Sequence, residues 1–148
     1  MLRKLLSRLI GGQARRKRSE SSAELGRTVA VTLTLLKTLE EAVGELGHED
    51  AIRFMMTTRG DSEARAAAAL VMQVLSYDRG EVRDAAEALR VTDTLAMIIF
   101  GELGNAAEQL GHENNGFECL RVTKGDEFAM ALLQKFLVVS ARYEAAQS

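Results

Sequence analysis

The chain has 148 residues, 47% hydrophobic but only 5% aromatic, with no proline or tryptophan and a formal net charge of −2. Its single cysteine, Cys119, excludes an intramolecular disulfide and points to a reduced, intracellular setting. An uninterrupted apolar run never reaches the roughly 18 residues needed to span a bilayer, the closest being "LAMIIF" at 95–100. Without proline to break helices, and with alanine and leucine to favour them, the expected fold is all-α: an antiparallel helical bundle of one domain.

The opening segment 1–18, "MLRKLLSRLIGGQARRKR", carries Arg3, Lys4, Arg8, Arg15, Arg16, Lys17 and Arg18 and no acid, so every Asp and Glu of the chain lies beyond it. At about 100° per residue, Leu2, Leu5, Leu6, Leu9 and Ile10 share one arc, while Lys4 and Arg8 lie opposite and Arg3 flanks it. Gly11 and Gly12 then read as a helix end or hinge before the separate "RRKR" cluster. Residues 1–21 are thus an amphipathic basic arm, and 22–148 the helical domain.

"SESSAE" reads as the joint between them, with Ser21 and Glu24 at capping-box spacing and the first body helix starting near residue 22. Val31, Leu35, Leu39, Ala42 and Leu46 then recur at steps of three and four until Gly47, although "TVAVTLTLL" also alternates as a strand would. Asp61 is placed to cap a second helix over "SEARAAAALVMQVLSY", where Ala64, Ala67 and Ala68 admit a close neighbour. Asp78 and Glu81 repeat the capping spacing before a long helical run ending at Gly111. A last helix opens at Asp126 and presents Phe128, Leu132, Phe136, Val139 and Tyr143.

A weak internal repeat runs through this order. "ELGHED" at 45–50 matches "QLGHEN" at 109–114, and "TRGD" at 58–61 matches "TKGD" at 123–126, in nearly the same register. Two related units, 28–78 and 92–143, would pack as a pseudo-symmetric bundle, each offering its apolar stripe to the other.

Chemical motifs are sparse. Glu45 and His48 have the E-x-x-H spacing of ferritin-like di-metal sites, and His112 occupies the equivalent place in the second unit. The glycine before each histidine argues instead for a helix end, with the histidines opening the next segment, and a pH-sensitive histidine pair is a further reading. "RGD" at 59–61 reads as a loop and helix start, and Cys119 in "FECLRV" as a buried, inert thiol. No nucleophile elbow, phosphate-binding loop, zinc spacing or dinucleotide fingerprint occurs, so neither catalysis nor a cofactor is expected.

The arm therefore carries the functional expectation. A structural or interaction protein would use Leu2, Leu5, Leu6, Leu9 and Ile10 to enter a membrane interface or a partner's groove. Its seven basic residues would meet anionic lipid. The arm also resembles, in a generic way, organellar presequences and cargo-docking peptides. One alternative is a nucleic-acid-binding accessory subunit using "RRKR"; a second is a ferritin-like metal protein; a third leaves the arm packed on its own bundle. Self-association, as in a shell subunit or other homo-oligomer, fits the first reading, with a location peripheral to a membrane or inside a larger particle.

Overall fold

A computed structural model describes residues 2–148, with side chains from Ser21 on; the side chains of the arm, among them the leucine arc and the "RRKR" cluster, lie outside the described residues. The helices are α1 (Leu2–Glu45), α2 (Ala51–Thr58), α3 (Asp61–Asp78), α4 (Ala85–Gln109), α5 (Gly116–Lys124) and α6 (Asp126–Gln147), with no strand among the described residues. The protein is an all-helical bundle.

Residues 28–36, which alternate like a strand, are helical. Thr32 donates its hydroxyl proton to the Thr28 carbonyl at 2.8 Å, Thr34 to Ala30 at 2.8 Å and Thr38 to Thr34 at 3.0 Å. Each hydroxyl is thereby satisfied within the helix, so β-branched polar residues enter the core face without an orphaned donor.

Leu35, Leu39, Ala42 and Val43 of α1 are completely buried, as are Leu95, Ala96, Ile99 and Leu103 of α4. These two helices form the central packed pair, and the shorter helices close around them. Ala64 and Ala67 bury one face of α3, while Leu132, Phe136 and Val139 bury one face of α6. Phe128, expected on that face, is 38% exposed; Ala129 takes the inward position. Phe100 and Phe136 stack at 4.0 Å between ring centroids and join α4 to α6.

Three helix starts differ from the sequence expectation. Ser21 and Glu24 lie within α1 rather than at its start, and Gly11 and Gly12, expected as a helix end or hinge, fall inside the same helix. Asp61 is the first residue of α3, preceded by Gly60 at φ +97°, and makes no capping hydrogen bond. Asp78 ends α3; the cap of α4 is Asp84, which accepts from the backbone N–H groups of Ala86 and Glu87 at 3.0 and 3.3 Å.

Both Gly47 and Gly111 end helices with positive φ. The N–H of Gly47 donates to Gly44 and that of His48 to Val43; Gly111 and His112 repeat the pattern onto Glu108 and Ala107. These are the paired 5→2 and 6→1 bonds that close a helix around a left-handed glycine. Asp50 and Asn115 then cap α2 and α5. Glu40 of α1 adds a second acceptor to the first turn of α2, taking the Ala51 N–H at 3.1 Å.

Gly116 marks a close approach of α5 to α4. A Cβ there would lie 2.7 Å from the Phe100 carbonyl oxygen and 2.8 Å from its ring. Gly116→Ala must push α5 away from α4, and a loss of about 1–3 kcal/mol is expected in urea unfolding.

Candidate functional site

Two buried carboxylates organise the polar interior. Glu102 of α4, fully buried, accepts from Arg59 Nε at 2.6 Å, from the Thr58 hydroxyl at 2.7 Å and from Asn105 Nδ2 at 3.2 Å. Asn114 extends the network, donating to Asn105 Oδ1 at 3.0 Å and Glu108 Oε2 at 2.7 Å. The arginine and glycine of "RGD" are thus the α2–α3 junction, and Arg59 is held by an internal partner.

The second carboxylate, Asp93, is 4% exposed. Arg142 of α6 grips it with Nε and Nη2, both at 2.8 Å, and Nη2 also donates to Thr28 Oγ1 of α1 at 2.8 Å. Glu24 lies 3.7 Å from the same guanidinium. The two-pronged bond to Asp93 raises the already high Arg142 pKa, so its charge is fixed.

Beside this cluster, α1 and α6 diverge to leave an open groove of about 310 Å³. Ala30, Val31, Val138 and Val139 supply its apolar floor and wall; Arg27, Lys135, Arg142 and Glu24 stand around it. Val138 is 61% exposed, and its neighbour Leu137 is exposed as well, so α6 presents apolar side chains to open space here. This groove is the candidate site.

The residues suggested by motif spacing do not converge. Glu45 is the last residue of α1 and His48 lies past the Gly47 turn, so the E-x-x-H pair does not share a helix face. The imidazole of His48 packs edge-on against Phe54 at 5.1 Å, whereas His112 Nδ1 is 3.9 Å from Glu118 Oε1. Among the described residues, no group of three or more His, Cys, Asp or Glu side chains is placed to hold a metal ion. Glu118 is engaged by Arg121, which holds its carboxyl below the ordinary range.

Cys119 is fully buried, and desolvation pushes its thiol pKa up. Because the folded pKa exceeds the unfolded one, this contribution to stability is complete below the ordinary thiol range and is lost as pH rises through it. Aromatic disulfide reagents at pH 8 are therefore expected to label Cys119 only as fast as the bundle opens, with stoichiometric reaction in denaturant; rapid labelling of native protein would contradict its burial.

Reading the sequence for local motifs misses Asp93, Arg142, Arg59 and Glu102, whose partners lie on other helices, far away along the chain. The available signal is a carboxylate set within an apolar stripe: Asp93 between Leu89 and Ala96, Glu102 between Ile99 and Leu103. A buried acid at such a position needs a cation.

Comparison with protein families, with curated proteins and with solved structures finds no match to this chain. Among the described residues, no helix is long and apolar enough to cross a membrane.

Proposed function

We propose that the protein is a non-enzymatic attachment module: a helical bundle brought to an anionic membrane surface by its basic amphipathic N-terminal arm. The observation that carries this reading is the charge partition. Seven cations and no acid share segment 1–18 with a leucine arc, ahead of a body in which acids clearly outnumber bases. Such a segment gains from lipid in two ways, through apolar insertion and at about 1 kcal/mol per near-surface cation. The arm directly precedes the part of α1 that packs in the core, so a hold on the arm is a hold on the bundle.

The bundle itself reads as a diverged duplication. Long, short and long helices occur in that order twice; Gly47 and Gly111 end the first helix of each half, and Asp50 and Asn115, the latter one residue later in the register, cap the short helices. The basic residue of each "T-R/K-G-D" stretch also reaches the long helix of the other half: Arg59 to Glu102, and Lys124 to Glu41 at 2.5 Å. Such a unit offers a rigid body for self-association once it is concentrated on a surface.

A salt series tests the membrane reading. Binding of the full chain to anionic liposomes is expected to persist in part at about 0.5 M salt, where only exposed charges are screened. Binding to RNA or DNA is expected to fall steeply over the same range, as counterions compete for phosphates. Parallel loss of both would favour the nucleic-acid reading, in which the "RRKR" cluster meets phosphates and the leucines play no part.

A further inference from the structure

The α1–α6 groove differs in chemistry from its counterpart in the other half of the bundle. In the register that sets Gly47 on Gly111 and Gly60 on Gly125, its charged lining Glu24, Arg27, Lys135 and Arg142 corresponds to Ala88, Val91, Leu70 and Tyr77. All four of those belong to, or pack against, the hydrophobic core. The α3–α4 junction is sealed by apolar side chains. The matching α6–α1 junction keeps its valine floor but carries three cations and one acid, and the helices pack less extensively there.

We propose that this groove binds a single-chain anionic amphiphile, a fatty carboxylate, with its chain along Ala30, Val31, Val138 and Val139 and its head between Arg27 and Lys135. Arg142 is committed to Asp93, Thr28 and Glu24, which fixes the wall of the groove. Among the described residues, Arg27 and Lys135 form no ion pair, so both are available to an incoming anion. Cations outnumber acids in the lining, on a body that is otherwise acidic. This complementarity selects an anion and disfavours the chain's own cationic arm. A volume of about 310 Å³ lies at the small end of ligand cavities (roughly 300–1,000 Å³), which suits one alkyl chain rather than two.

The test is calorimetry of the full chain with dodecanoate below its micellar concentration at pH 8, paired with methyl spectra of the valines. One saturable site is expected, with shifts at Val31, Val138 and Val139, and no such site for dodecyltrimethylammonium or acetate. Lys135→Glu and Val138→Glu, both at the groove rim, are expected to weaken this site at least about tenfold, or about 1.4 kcal/mol. Lys37→Glu, exposed on α1 outside the groove lining, should leave it unchanged.

Equal binding of the cationic detergent, or unaltered dodecanoate binding by both rim variants, would overturn the assignment. So would rim substitutions that dissociate a dimer in sedimentation velocity while dodecanoate shifts no groove methyl, for the occupant would then be a second copy. Thermal unfolding of the variants verifies that each is folded. The inference stands apart from the membrane reading, since both rim variants retain the arm and should bind liposomes as the parent does.

Discussion

Replacing Arg59 with methionine is expected to destabilise the protein by about 3–4 kcal/mol, read as a lower urea midpoint at unchanged slope. The effect comes from what is left behind. Glu102 has no exposed side-chain surface, and among the described residues Arg59 supplies its only cation, at 2.6 Å. Thr58 and Asn105 still donate hydrogen bonds, but neither brings charge. A buried carboxylate without a cation costs far more than the net value of the intact pair, whose Coulomb gain is largely offset by desolvation. Arg59→Met combined with Glu102→Leu should therefore recover much of the loss. A double variant no more stable than Arg59→Met would show that packing of the arginine stem, rather than charge, holds this junction.

Arg142→Met is expected to cost a comparable amount, about 3 kcal/mol, by abandoning Asp93 in the same way. Its consequences reach further, because Arg142 binds residues of two other helices: Asp93 of α4 and Thr28 of α1. Loss of the guanidinium removes the polar tie of α6 to the central pair along one side, where α6 and α1 otherwise pack sparsely. Hydrogen exchange should then rise in α6 before it rises in α4. Uniform acceleration across the bundle would mean that α6 docks through Phe136, Leu132 and Val139 alone. Arg142→Lys separates charge from geometry: lysine restores the cation but cannot reproduce two parallel bonds to Asp93, so an intermediate loss is expected.

Why these two arginines escape a reading of the sequence is a matter of distance along the chain. Helix stripes are local, and Val31, Leu35, Leu39 and Ala42 announce the core face of α1 at spacings that any single turn can enforce. Glycine ends are equally local: Gly47 and Gly111 sit where the apolar stripe stops, and both adopt the left-handed turn. Capping is legible only in part. Asp78-x-x-Glu81 and Asp84-x-x-Glu87 carry the same spacing, and the choice between them falls to Gly80, whose positive φ closes α3 and delays the start of α4. Gly60 similarly takes the cap position ahead of Asp61. The strand-like alternation of "TVAVTLTLL" dissolves because threonine hydroxyls bond back to the helix, a solution invisible to a hydrophobic count.

The groove is illegible for a different reason. It arises where α1 and α6 separate, and its residues come from opposite ends of the described chain. Its charged lining, Glu24, Arg27, Lys135 and Arg142, is split between α1 and α6, and no local spacing joins the two. The arm, by contrast, is written in one continuous stretch, 1–18, and its amphipathic pattern is a property of sequence alone.

Flotation of the full chain with anionic liposomes, comparing the parent with a Leu5→Gln/Leu9→Gln variant, tests the attachment reading most directly. That variant keeps all seven arm cations and removes two of the five residues of the apolar arc. At about 0.5 M salt the parent is expected to float in part, while the variant stays with the soluble fraction, because screening removes the charge contribution and glutamine removes the insertion. Equal flotation of the two proteins at that salt, or release of both, would contradict the account.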